Sequence, residues 1–258
     1  MMNQAIAVQN LCKTYIVNKR QNHVLKNVSF RVDDGELVAV MGPSGSGKTT
    51  LLYSVSGMDK PTTGTVDFYG KKLHEASADE MSDIRLDEMG FIFQQMYMLK
   101  SLSICDNILL PAYRSHLTKN AADRKKKDQR ARELMQKLGI IEIADNDITE
   151  TSGGQLQRAC ICRSMINNPK MLFADEPTGS LNKQASKEVM AEIIRINQEG
   201  TTVMLVTHDV RIAAKCDRVL YIVDGNIHSH YELGKYAGEN QLRERERALN
   251  NSLIDMGW

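Results

Sequence analysis

The chain has 258 residues, 42% of them hydrophobic and 25% charged, and its 33 basic side chains against 32 acidic ones leave a net charge of +1. Such a length holds one large domain or two small ones, and the composition is that of an ordinary soluble globular protein. A balance this close to neutral gives no support for a nucleic-acid-binding surface as the chain's main business.

The opening residues MMNQAIAVQN lack the basic start and apolar stretch of a signal peptide, and no run approaches the 18 apolar residues of a membrane span. The expectation is a soluble chain whose membrane role, if it has one, comes through a partner. In chain order, AIAV, VLKNVSF, ELVAVMG, TVDFYG, GFIF, KMLFAD, TVMLVT and RVLYIV read as strands. TTLLYSVSG, ICDNILLPAYRS, AADRKKKDQRARELMQKLG, GQLQRACICRSMINN and KQASKEVMAEIIRINQ read as helices. Near-continuous apolar strands alternating with helices predict an α/β fold with a parallel sheet covered on both faces. The span from about 94 to 167 carries almost no strand signal and reads as a helical subdomain inserted into that core. The five cysteines, Cys12, Cys105, Cys160, Cys162 and Cys216, have no metal-ligand spacing and read as reduced structural thiols. Cys160 and Cys162, two apart on a helix, point about 200° away from each other.

Three stretches carry chemistry. After the strand ELVAVM comes GPSGSGKT at 42–49, fitting G-x-x-x-x-G-K-[ST]. Gly42, Gly45 and Gly47 let successive N–H groups of the loop face one anion, and the following helix adds its positive end. Lys48 can reach β- and γ-phosphates, and the Thr49 hydroxyl can coordinate Mg²⁺. MLFADEP at 171–177 ends an apolar strand on Asp175, placed to hold the metal, and Glu176, placed to orient and polarise an attacking water. TVMLVTHD ends another such strand at His208, where an open α/β sheet binds its ligands, which suggests a γ-phosphate sensor. A fourth stretch, TSGGQLQR at 151–158, resembles a linker by composition yet runs straight into a helix.

Together these residues resemble the ATP-binding-cassette (ABC) ATPases over about residues 4–228, with six motifs in the family's order. The resemblance implies a P-loop cassette: a mostly parallel sheet core, an antiparallel β subdomain and an inserted helical subdomain. It divides the chain into a core of 1–93 and 168–230, a helical signature subdomain of 94–167 and a helical extension of 231–258. Tyr15, in KTY, matches the aromatic that stacks on adenine. The phosphate loop Gly42, Pro43, Ser44, Gly45, Ser46, Gly47, Lys48, Thr49 and Thr50 matches the nucleotide cradle. Gln94, in GFIFQQ, matches the glutamine that joins the nucleotide site, with its metal, to the transmembrane partner. Ser152, Gly153, Gly154 and Gln155 match the family signature, Asp175 and Glu176 the end of the second nucleotide motif, and His208 the switch histidine. By the same resemblance two copies dimerise head to tail, each ATP lying between one chain's phosphate loop and the other chain's signature. Two positions depart from the pattern. Thr151 stands where the family usually has Leu, and Asn182 replaces the Asp of the loop that crosses the dimer.

FIFQQ, DNILLPA and ADEPTGSLN are most similar to the branch holding lipoprotein-release, macrolide-export and peptide-antibiotic-resistance ATPases, with the bacitracin or lantibiotic type nearest. That implies a permease partner, driven by ATP and Mg²⁺ from the cytoplasmic face of the membrane. A regulatory ATPase of the cell-division type, which transmits force through a permease-like partner and moves no substrate, is one alternative, and a lipoprotein-release ATPase is the other. Met96, Met98, Leu99 and Leu102 follow Gln94 and suit an adaptable partner groove. RKKKDQRAR at 124–132 reads as a solvated helix face, with Leu134, Met135 and Leu138 turned the other way. In the tail, Leu242, Leu249, Leu253 and Met256 fall on one helical stripe, which suggests docking on the chain's own core.

Overall fold

The computed structural model describes residues 4–255, so Met256 of the predicted stripe lies outside the described residues. Strand β1 (Gln4–Val17) and strand β2 (Arg20–Asp33) form a long antiparallel hairpin. Its two-residue turn puts both Asn18 and Lys19 at positive φ, 50° and 62°. That geometry matches the right-handed twist of the flanking strands. The fully buried β3 (Leu37–Met41) leads into α1 (Lys48–Val55), followed by β4 (Thr63–Phe68) and the short β5 (Lys71–Lys72). The antiparallel sheet runs in the order β2-β1-β4-β5.

Next come α2 (Ala78–Asp87), β6 (Met89–Ile92), α3 (Ile104–Arg114), α4 (Ala121–Lys137), α5 (Gly153–Met165), the buried β7 (Met171–Asp175) and α6 (Lys183–Gln198). Residues 94–167 contain α3, α4, α5, two single 3₁₀ turns and no strand, as their sequence predicts. The chain ends its described part with β8 (Thr202–Val206), α7 (Val210–Ala213), β9 (Arg218–Val223), β10 (Asn226–Glu232) and α8 (Glu239–Asp255). The sequence reading missed β5, α2, α7 and β10. Strand β10 alternates exposed and half-buried positions and lacks a continuous apolar run, and α7 is a single turn.

The described residues form two compact units, one holding those up to Ser77 and from Asn197 onward, the other Ala78–Ile196. In the first, β3 pairs parallel with both β8 and β9, and β10 adds antiparallel to β9. The five residues of β3 and of β8 are all buried, which is why both read as unbroken apolar runs. In the second unit β6 and β7 pair in parallel, and α3, α4 and α5 bury Ile104, Ile108, Met135 and Ile161. Helix α4 does turn Met135 and Leu138 inward, and its Arg124, Lys125 and Lys126 are exposed. Lys127 and Arg130 depart from the solvated-face reading. Lys127 donates to Asn167 Oδ1 (2.8 Å), and Arg130 to the Met165 and Ile166 carbonyls (2.8 and 3.0 Å), capping the end of α5. Burial lowers the pKa of both groups. All five cysteines are free thiols, and burial pushes Cys160 up to about 11.

Candidate nucleotide site

In the first unit the phosphate loop leaves the carboxyl end of β3, while Thr207 and His208 leave that of the neighbouring parallel strand β8. Val40 pairs with Val206, and Thr207 N–H donates to Val40 O at 3.1 Å, so loop and histidine emerge side by side from the carboxyl ends of adjacent strands. Two glycines shape the loop. Gly42, at φ 156°, comes so near β9 that an added Cβ would lie 2.0 Å from Ile222 O. Gly47 caps α1 in the left-handed region, φ 100°, and a Cβ there would lie 3.0 Å from Val24 O. Gly225, in the β9–β10 turn, donates to Ser46 O at 3.1 Å and props the loop from behind.

Helix α1 has no side-chain cap and no acidic residue in its first turn. Its leading amides therefore depend on an outside acceptor, and a cation in that first turn, Lys48, opposes the helix dipole. Lys48 Nζ donates to the Gly42 and Pro43 carbonyls, both at 2.8 Å. Ser46 is 3% exposed, and its hydroxyl has no partner among the described residues. Each of these features fits an anion held in the loop. Tyr15, on β1, donates its hydroxyl to Asp59, and Lys13 pairs with the same carboxylate and lies 4.8 Å from the Tyr15 ring centroid. Burial and the Asp59 hydrogen bond raise the Tyr15 phenol, so the ring is held neutral.

In the second unit Asp175, 5% exposed, closes β7, and Gln94 follows the parallel neighbour β6, with Ile92 paired to Ala174. Glu176 turns out of the strand at φ 45°, a left-handed conformation that costs a side-chain-bearing residue energy and recurs at functional sites. A Cβ at Gly179 would lie 3.5 Å from Glu176 Cβ and 3.6 Å from Gln94 Nε2, in ordinary contact with both, so Gly179 is a neighbour that the two residues share. The acid pair and the glutamine are thus gathered in one place. The TSGGQ stretch opens α5. Ser152 is the N-cap: its Oγ accepts from Gln155 N–H (3.3 Å), while Gln155 Oε1 accepts from Ser152 N–H (3.0 Å). The cap takes up those two amides; the Gly153 and Gly154 amides have no acceptor within the helix. Those glycines line a cleft of about 390 Å³ shared with Arg158, Leu181, Asn182 and Glu188.

The chain matches the ABC transporter family model over residues 25–179. The chain belongs to the ABC transporter family. It is 38% identical to the bacitracin export ATP-binding protein BceA of Halalkalibacterium halodurans over 226 residues, 87% of each chain. It is also 38% identical to the macrolide export ATP-binding/permease protein MacB of Salmonella typhimurium over 259 residues, all of this chain and 38% of that protein. The chain therefore spans well under half the length of the macrolide-export relatives it matches. The dimeric structure of a post-hydrolysis state of the ATP-binding cassette MJ0796, bound to ADP and Pi, superposes with a TM-score of 0.79 at 33% identity. That match covers 88% of this chain and 98% of the other.

Within this ABC cassette the two departures from the family pattern have local accounts. Thr151 Oγ1 donates to Ile148 O at 2.9 Å, closing the 3₁₀ turn ahead of the signature. Asn182 Oδ1 accepts from Ala185 N–H at 2.9 Å and so caps α6, a role Asp fills equally well. The sequence reading missed the Lys13–Asp59 pair behind Tyr15 and the props from Gly225 and Ile222. The KTY lysine is plain in the sequence, but nothing local shows that Asp59, 46 positions later, returns to it.

Proposed function

We propose that this chain is the ATP-hydrolysing nucleotide-binding subunit, or segment, of an ABC exporter, with antimicrobial peptides as the class of cargo. The observation that carries the reading is a phosphate loop ending in an uncapped helix, in a chain that also presents an acid pair at a buried strand's end. The cargo class rests on the even coverage of the bacitracin export relative.

Under this reading Tyr15 stacks on the adenine, and residues Gly42 to Thr50 wrap the phosphates. Lys48 exchanges its two loop carbonyls for phosphate oxygens. Thr49, Gln94 and Asp175 supply a hydroxyl, a carboxamide and a carboxylate, all hard oxygen donors of the kind Mg²⁺ takes. When bound, that ion neutralises charge on the phosphates. Glu176 accepts a proton from the attacking water as it orients it, and His208 donates to the γ-phosphate. Ser152, Gly153, Gly154 and Gln155 serve the ATP of a second copy, so a lone chain hydrolyses slowly.

No helix among the described residues is long and apolar enough to cross a membrane. Beyond Gln94, Tyr97 (62% exposed) and Leu99 (48% exposed), with Leu110 and Leu117 of the same unit, leave apolar surface bare. That surface suits a permease helix, which would hold the chain at the cytoplasmic face of the membrane. The test is ATP turnover of the wild type and Glu176→Gln with and without the permease. Turnover in the variant falls by roughly 10² to 10⁴ while ATP still binds. Full turnover in Glu176→Gln refutes the assignment of the base, and a permease that confers no peptide resistance refutes the cargo.

A further inference from the structure

Helix α8 does more than cover apolar surface. Leu242, Leu249 and Leu253 are buried, as the stripe predicts, but so is Arg245, at 8% exposure. Among the described residues no carboxylate forms a salt bridge with its guanidinium, which instead collects four main-chain carbonyls. Nε donates to Ala214 O (2.7 Å), Nη2 to Cys216 O (2.6 Å) and Gly234 O (3.0 Å), and Nη1 to Leu233 O (2.8 Å). The Tyr236 ring lies 5.6 Å from the guanidinium carbon. Ala214 is the C-cap of α7, where helix carbonyls are left without intrahelical donors, and Cys216 lies two residues beyond it. Arg, with five donors and no acceptor, suits that task. Two ion pairs flank it: Arg211 of α7 with Glu246 of α8 (3.2 Å), and Lys215 with Glu239 (2.6 Å).

Helix α7 has only four residues, too few to be stable on its own hydrogen bonds. Its other end begins at Asp209, whose carboxylate accepts from Arg211 N–H at 2.7 Å, and His208 directly precedes it. His208 is exposed, between Thr207, pinned to β3, and this single turn. We infer that α8 acts through Arg245 as a clamp on α7 and thereby sets the position of His208, making Arg245 a positioning residue for hydrolysis. The inference rests on the phosphate-contacting role proposed for His208. A small displacement of a positioned group costs up to a hundredfold in rate, so a clamp remote from the phosphates matters.

The experiment compares Arg245→Ala, Arg245→Lys, Glu246→Ala, His208→Ala and the double variant Arg245→Ala/His208→Ala in the full chain, read by kcat, nucleotide affinity and amide exchange. Arg245→Ala lowers kcat by roughly ten- to hundredfold with nucleotide affinity unchanged. It also speeds exchange across Asp209–Cys216, Arg245→Lys recovers part of the loss, and in the His208→Ala background it costs nothing further. Wild-type kcat in Arg245→Ala, or a loss that adds in full to that of His208→Ala, overturns the clamp. If Arg245→Ala does not fold, Glu246→Ala, which leaves the buried leucines in place, shows a smaller loss with the same non-additivity, and wild-type behaviour there overturns it too. Undiminished kcat in His208→Ala refutes the role of the histidine, a result kept apart from the clamp by the exchange readout.

Discussion

The cassette holds two helix N-termini built from glycine-rich loops, and they are finished in opposite ways. Helix α1 starts on Gly47 with no side-chain cap, whereas α5 starts on Ser152 with a reciprocal cap from Gln155. A cap satisfies orphan amides from within the chain and stabilises a helix by about 1 kcal/mol. Helix α1 forgoes that gain and carries Lys48 in its first turn, so it is completed by an anion. Helix α5 has its shape before any phosphate arrives, with only Gly153 and Gly154 left to meet one. The difference teaches that the loop proposed to bind nucleotide on its own chain is left chemically incomplete. The loop assigned to a second copy's nucleotide is self-supporting and can wait.

The largest effect expected from this contrast is at Gly42. Gly42→Ala drives a Cβ into the Ile222 carbonyl, costing on the order of 1–3 kcal/mol and removing ATP binding. A denaturant midpoint and a nucleotide titration read both, and a variant that still bound ATP would show that the loop tolerates a rebuilt path. Next is Ser152→Ala, which loses the cap at a cost of about 1 kcal/mol. Its hydrolysis falls severely while binding at Lys48 of the same chain stays intact. Loss of both together would mean that the two termini serve one phosphate on one chain, breaking the contrast. The smallest is Asn182→Asp, since either residue caps α6. Thermal stability moves by about 0.5 kcal/mol or less, typical of exposed sites, while turnover changes without vanishing. Complete loss of turnover would make Asn182 part of the chemistry and not only of the cap.

Much of this was legible along the chain. The apolar runs of β3, β7 and β8 and the residue types at their carboxyl ends are local facts, readable because strands buried on both faces need no alternation. The helical span from 94 to 167 was visible in its periodicity, and so was the leucine stripe of α8. Hidden from view were contacts between residues far apart in sequence: Asp59 behind Tyr15, Gly225 under Ser46, Arg245 over the end of α7. Lys127 and Arg130 show the same blindness. They sit in a run of charge that predicts solvent, yet they turn inward because α5 ends nearby with carbonyls to satisfy.

The sequence by itself determined which groups are available: a glycine loop with a lysine, a strand-ending acid pair, a histidine after another strand, and a Ser-Gly-Gly-Gln stretch that runs into a helix. Those depend on neighbours within a few residues, where bond geometry leaves few choices. Only the tertiary structure decided how they are held. The wedging of Gly42 against Ile222, the gathering of Glu176 and Gln94 around Gly179, and the anchoring of α7 by Arg245 all require packed elements. An arginine in a tail helix is an ordinary surface residue until folding brings four unpaired carbonyls within its reach.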